Sequence, residues 1–185
     1  LFSLLIISCT GTTEVKEPNM DFGGWSGVSD DSSVESNLTR ELMDNYIANE
    51  FEKSGYMIAD DGQFFFNSNQ VTKEEWLAAG AAHHSLFEGI SNSKIQPAIV
   101  TTATYDNGAV WSQAWFWWTG TGKVTGTEIQ IPVHHAFKFE NEKIVEVYHF
   151  FDPTWFATRL FGELTQQWND SRRHCGGIFE LVGFA

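Results

Sequence analysis

Phe137-Lys138-Phe139-Glu140-Asn141-Glu142-Lys143-Ile144-Val145-Glu146 reads as the end of one strand, a tight turn and the start of the next. Apolar and polar residues alternate ahead of Asn141-Glu142, the period-two pattern of a half-buried sheet, and Ile144-Val145 opens an apolar arm after it. The first arm extends back to Glu128 and the second runs on to Asp152, where Pro153 ends the sheet because it has no ladder donor. Upstream, Val110 to Thr119 is a further strand, separated from Glu128 by the turn Gly120-Thr121-Gly122-Lys123. Before it, Pro97 to Tyr105 is rich in Ile, Val and Thr, and Asp106-Asn107-Gly108 is a strong hairpin signal. Four consecutive strands therefore form an antiparallel meander.

Ahead of the meander the period changes. Leu38, Leu42, Tyr46, Ile47 and Phe51 fall on one helical stripe, with Ser36-Asn37 placed to cap it. Gln63 to Asn67 reads as a short buried strand after the turn Asp60-Asp61-Gly62. Thr72-Lys73-Glu74-Glu75 is a helix start, and the second helix runs through Trp76, Leu77, Gly80, His83, His84 and Phe87 to about Gly89. Helices first and an antiparallel sheet afterwards is an α+β order.

The flanks carry different signals. Leu1 to Ile7 is too short an apolar run to span a bilayer and fits the end of a truncated signal-peptide h-region. Ile6-Ile7-Ser8-Cys9 resembles a bacterial lipobox, which makes Cys9 the expected lipidation site. The expected location is the bacterial cell envelope, lipid-anchored and facing the periplasm or exterior. Residues 10–37 are polar and read as a flexible tether, with Phe22 and Trp25 able to dock on the domain. The domain itself spans 38–158, and 159–185 is a tail without a clear pattern. Cys175 is then an incidental thiol rather than half of a disulfide.

Composition narrows the function classes. The net charge is −13, and no basic cluster exceeds Arg172-Arg173, so nucleic acid is set aside as a partner. Sixteen Phe and eight Trp demand a large core, an aromatic-lined cavity, or both. In Val110–Thr119, Trp111, Trp115, Phe116, Trp117 and Trp118 occupy both parities, so both faces of that strand call for burial.

Asp106 to Asp152 resembles the second half of the SnoaL-like, nuclear transport factor 2-like superfamily. The likeness is carried by Trp118 to Gly126, with its Gly-Thr-x-x-Gly flavour, and by Phe137 to Glu146 against the family's Phe-x-Phe-x-x-Gly-Lys-Ile-x-Glu hairpin. Phe150-Phe151-Asp152 resembles the final strand with its terminal acid, while Glu142 stands where the family usually has Gly. With the helices ahead, the resemblance covers 38–158. It implies a cone-shaped, strongly bent antiparallel sheet wrapping the helices, a pocket at the wide end, and homodimerisation through the outer sheet face. Polyketide cyclases, ketosteroid isomerases, dehydratases and non-catalytic binders share this fold, so fold does not settle function.

Alternation puts Val133, His135, Phe137 and Phe139 on one face of their strand, and Ile144, Glu146, Tyr148, Phe150 and Asp152 on one face of the next. The resemblance makes the second face the concave one. The candidate catalytic set is thus His135, Tyr148 and Asp152, a carboxylate base with two hydrogen-bond donors for an enolate oxygen. The expected pocket lining is Phe137, Phe139, Phe150, Trp118 and His83, with His84 the alternative to His83. No cofactor is expected, and the histidine spacing does not suit zinc. The foremost reading is a binding domain for a small apolar or aromatic molecule. An isomerase, cyclase or dehydratase and a dimeric interaction domain are the alternatives.

Overall fold

The computed structural model describes residues 23–152 except 93 and 95, together with 162 and 165. Eight strands form one sheet: β1 (Gly27–Asp30), β2 (Ile58–Phe66), β3 (Asn69–Val71), β4 (Phe87–Ser91), β5 (Ile99–Tyr105), β6 (Val110–Gly122), β7 (Glu128–Glu140) and β8 (Lys143–Phe150). The order is β1-β5-β6-β7-β8-β2-β3, an open path, with β4 also on β6. All pairs are antiparallel except β2 with β8, so the sheet is mixed.

The long strands β6 and β7 pair from Val110↔Phe139 to Thr121↔Glu128. The other edge of β6 changes partner along its length: Val110 to Trp115 pairs with β5, and Thr119 to Gly122 with β4. The β7–β8 turn puts both Asn141 and Glu142 in the left-handed region, at φ 52° and 60°. This is the double positive φ of a tight hairpin, held here without glycine.

Helix α1 (Val34–Ile47) begins one turn earlier than the sequence stripe, because the cap is Ser33 rather than Ser36-Asn37, its hydroxyl accepting from Ser36 N–H at 3.1 Å. Ser36 is instead buried, sharing a 2.8 Å hydrogen bond with Thr102 of β5, and Thr39 donates to Ser112 of β6 at 2.7 Å. These hydroxyl pairs satisfy the polar start of the helix against the sheet; Leu42 and Met43 then continue the contact as core. Helix α2 (Lys73–Leu86) carries a full capping box between Thr72 and Glu75. Its inward face runs Trp76, Gly80, His83. A Cβ at Gly80 would lie 2.6 Å from Phe51 Cδ1, so glycine there lets the 3₁₀ turn Phe51–Met57 close against the helix.

Four expectations are corrected. Asp60-Asp61-Gly62, read as a turn, lies within β2, where the pairing with β8 shifts register between Ile58 and Gln63, and Gly120 to Gly122, also read as a turn, are the last residues of β6. Part of the stretch read as tether is structured: β1 pairs with β5, and Trp25 meets the Tyr105 ring edge-on at 5.1 Å. A short polar segment can join a sheet when an open edge offers it backbone partners. The second helix also stops at Leu86, and Phe87–Ser91 is strand rather than a last helical turn.

The core divides into two clusters. One gathers Phe87, Phe116, Trp118, Ile129 and Ile131; the other gathers Met57, Phe64, Trp76, Phe137 and Ile144. No helix among the described residues is long and apolar enough to cross a membrane.

Candidate functional site

Between the two clusters lies a cavity of about 240 Å³. Met43, Phe116, Trp118 and Ile131 line it from one cluster, Leu42, Trp76 and Phe137 from the other. Its polar atoms come from five side chains besides the two indoles: Tyr46 on α1, His83 on α2, Asn92 after β4, His135 on β7 and His149 on β8. None of the lining residues is Asp, Glu, Lys or Arg.

The local geometry of β7 and β8 decides which groups arrive there. On β7 the alternation holds, and Val133, His135, Phe137 and Phe139 face inward. On β8 it does not. Phe139 pairs with Ile144 but Lys138 with Glu146, so Val145 is an extra, bulged residue. Beyond it the inward positions are Val147 and His149, and Tyr148 and Phe150 turn outward. The concave face expected to carry Tyr148 and Phe150 is therefore the opposite one.

The candidate residues separate accordingly. His135, Phe137, His83 and Trp118 line the cavity. Phe139 is buried core away from it. Tyr148 lies on the outer face, its ring stacked on Phe65 at 4.8 Å and its hydroxyl donating to Glu146 at 3.3 Å. Phe150 is 45% exposed and stacks on His134. Asp152 is exposed beyond the end of β8 and does not line the cavity. His84 points its Nε2–H at the Tyr46 carbonyl instead of the cavity, at 2.6 Å. Cys9 lies outside the described residues.

Four contributors were not singled out from sequence: Tyr46, Trp76, Asn92 and His149. Trp76 Nε1–H donates to His149 Nε2 at 2.5 Å. Trp118 Nε1–H donates to the Tyr46 hydroxyl at 2.8 Å, and that hydroxyl shares a 2.9 Å hydrogen bond with His83 Nδ1. His135 and His149 sit across the β7–β8 ladder as direct partners, their rings perpendicular with centroids 3.9 Å apart.

The electrostatics are those of a neutral site. Burial pushes His149 down to about 3, with the neighbouring His83 adding to the shift. Burial likewise pushes His83 down to about 4, helped by His84, and holds His135 well below the ordinary range. Burial raises the Tyr46 phenol. At neutral pH every one of these groups is uncharged. An imidazole with so low a pKa is a weak general base, whereas it remains a good neutral hydrogen-bond donor and acceptor. Among the described residues no group of three metal-ligating side chains converges.

No family model matches the sequence, and no curated protein matches it. Solved structures do match. A SnoaL-like protein of Jannaschia sp. CCS1, described as a candidate polyketide cyclase, aligns with a TM-score of 0.50 at 17% identity, over 67% of this chain and 89% of its own. An NTF2-like protein of Burkholderia xenovorans LB400 gives 0.51 at 15% identity, over 67% and 93%. IdmH of Streptomyces antibioticus, also described as a candidate polyketide cyclase, gives 0.53 at 15% identity, over 69% and 99%. At such identities the likeness is one of fold, and it covers nearly the whole of each neighbour. The chain therefore carries a domain of the SnoaL-like, nuclear transport factor 2-like fold.

Proposed function

We propose that the domain is a non-catalytic binding module that holds one uncharged, largely aromatic small molecule in the cavity between its two core clusters. The observation that carries this reading is the lining: aromatic and aliphatic side chains with a few neutral polar groups and no charge. A charged ligand would give up its hydration there without a counter-ion. The volume suits a compact guest. A dry cavity of about 150 Å³ accepts benzene, so about 240 Å³ corresponds to roughly a two-ring molecule. Proton abstraction by Asp152 is not proposed, because that carboxylate is exposed and apart from the cavity.

Trp76 and Trp118 both line the cavity, so intrinsic fluorescence reports occupancy. Titration with naphthalene is expected to quench it saturably, and Ala79→Trp, which fills the cavity from α2, is expected to abolish the response. Unsaturable quenching, or quenching that survives Ala79→Trp in a folded protein, would overturn the reading.

We also propose that two copies associate through the outer sheet face. Trp115, His134, Phe150, Tyr148 and Phe65 stack there in succession across β6, β7, β8 and β2. Ring faces cover one another, so apolar edges point outward, with Trp115 39% exposed and Ile99 beside it 56% exposed. Sedimentation equilibrium is expected to give a dimer for the wild type and a monomer for Trp115→Glu/Phe150→Glu. A wild-type monomer at tens of micromolar would refute the association.

A further inference from the structure

Several of the polar atoms around the cavity are already paired with one another. Trp118 Nε1–H and His83 Nδ1 both bond the Tyr46 hydroxyl. On the β7–β8 wall hydrogen-bonding capacity is left over. Trp76 can only donate, so the bond it makes to His149 Nε2 fixes that nitrogen as an acceptor and places the ring hydrogen on Nδ1. No hydrogen bond among the described residues reaches His149 Nδ1–H or either nitrogen of His135. Asn92 Oδ1 is sealed among protein atoms, out of a guest's reach; these three nitrogens are not. They keep open space before them, and on the inner face of β7 and β8 that space is the cavity.

The pair is compact and is placed by the sheet. His135 and His149 are direct ladder partners with ring centroids 3.9 Å apart, so their unpartnered nitrogens share one patch of the wall. The other rings around that patch are Phe66, Phe116, Phe137 and Trp76, none of which has a hydrogen bond to spare. A water on the patch finds only the two imidazoles beside it, a weak hold for a buried water. A guest atom that accepts the Nδ1–H bond displaces such a water at little cost, whereas a pure hydrocarbon strands a buried donor. His149 sets the sign, because its fixed N–H requires an acceptor. His135, whose tautomer no bond fixes, adapts to the group beside it.

We infer that His149 and His135 form the polar anchor of the cavity, taking a hydrogen-bond acceptor on an otherwise apolar two-ring guest, an aromatic ring nitrogen or a carbonyl oxygen. Trp76 is the positioning residue that keeps the donor on Nδ1. This rests on the cavity being a binding site, and the probes below separate the two claims.

Naphthalene, quinoline and isoquinoline have nearly the same size and shape and differ in one ring atom, so they isolate the anchor. Calorimetric titration at mildly alkaline pH, where both azines are neutral, gives the ratio of the better azine's affinity to that of naphthalene. In His149→Phe/Trp76→Phe the donor and the group that holds it are removed together, which leaves no stranded partner. The ratio is expected to be on the order of 5–100-fold higher in the wild type than in this variant, the equivalent of about 1–3 kcal/mol for a buried donor left unmade. Comparing ratios cancels the greater hydrophobicity of naphthalene. Nitrogen-15 NMR of the wild-type histidines, which needs no substitution, is expected to show the His149 hydrogen on Nδ1. An azine is expected to strengthen the hydrogen bond of that N–H, and naphthalene is not. Equal ratios in the two proteins, or a His149 hydrogen found on Nε2, would overturn the anchor and leave the binding function standing. Failure of all three probes to bind would overturn the binding function, and the anchor with it.

Discussion

Between pH 7.5 and pH 5 the domain is expected to lose about 4 kcal/mol of stability through His83 and His149 alone. In the unfolded chain each has the ordinary pKa of 6.5 and takes up a proton as the pH falls through that value. In the folded domain they remain neutral until about pH 4 and about pH 3. The unfolded state therefore binds more protons throughout this interval, and stability is full above 6.5 and declines below it. At pH 5 the difference is about 2 kcal/mol per histidine and depends little on the folded values, since both lie well below the pH. His135 shifts in the same direction and adds to the loss. No carboxylate among the cavity-lining residues offsets these histidines; the groups around them are the Tyr46 phenol, His84 and His134. Asp30 and Asp60, whose pKa values are lowered by Ser32 and Lys73, titrate below the window. Against a total of about 5–15 kcal/mol, this loss brings acid unfolding within reach of mildly acidic pH. Urea midpoints measured across pH 5 to 8 check it, with the m-value unchanged. A flat profile would mean that the imidazoles are solvated.

The largest single-residue effect is expected at Trp76. Its ring stacks on Phe64 at 5.3 Å and on His149 at 5.7 Å, and packs against Phe51 at 4.7 Å. Removing it in Trp76→Ala joins the cavity to a new void and strands His149 Nε2, at a cost of about 3–5 kcal/mol. Trp76→Phe keeps most of the ring and is expected to cost about 1–3 kcal/mol, mainly for the lost donor. Thermal melting of the two variants separates packing from hydrogen bonding. Equal losses would show that the indole N–H contributes nothing.

The inward turn of His135 and Phe137 was legible in the sequence because β7 alternates without interruption. The same rule fails on β8 for one residue: Val145 is β-branched like its strand neighbours and carries no mark of a bulge, yet it exchanges Tyr148 for His149. Helical spacing placed Tyr46 on an apolar stripe and Trp76 within the second helix. What they do there was hidden, since Tyr46 meets Trp118 and Trp76 meets His149 from elements far apart in the chain. The hairpins at Asp106-Asn107-Gly108 and Asn141-Glu142 announced themselves through local turn chemistry, whereas the turn read at Gly120-Thr121-Gly122-Lys123 falls after Gly122 instead, because Gly120 and Thr121 are still paired with β7. Strand β1 gave no such signal, being polar, exposed and recruited only by the free edge of β5. Asn92 follows a strand whose first residues, Phe87 to Gly89, were read as the end of a helix, so its burial had no local signal.

The parallel pairing of β2 with β8 has a kinetic meaning. Every other contact along the sheet's path from β5 to β8 joins neighbours in sequence, whereas Phe64 meets Val147 across more than half of the described chain. Such closure is entropically expensive and belongs to the slow part of folding. It also brings Phe66 and Trp76 against His149, completing one wall of the cavity. A guest consequently finds no complete cavity until the chain has nearly reached its native form. Its stabilising effect is then felt in the rate of unfolding, while the rate of folding is left almost untouched.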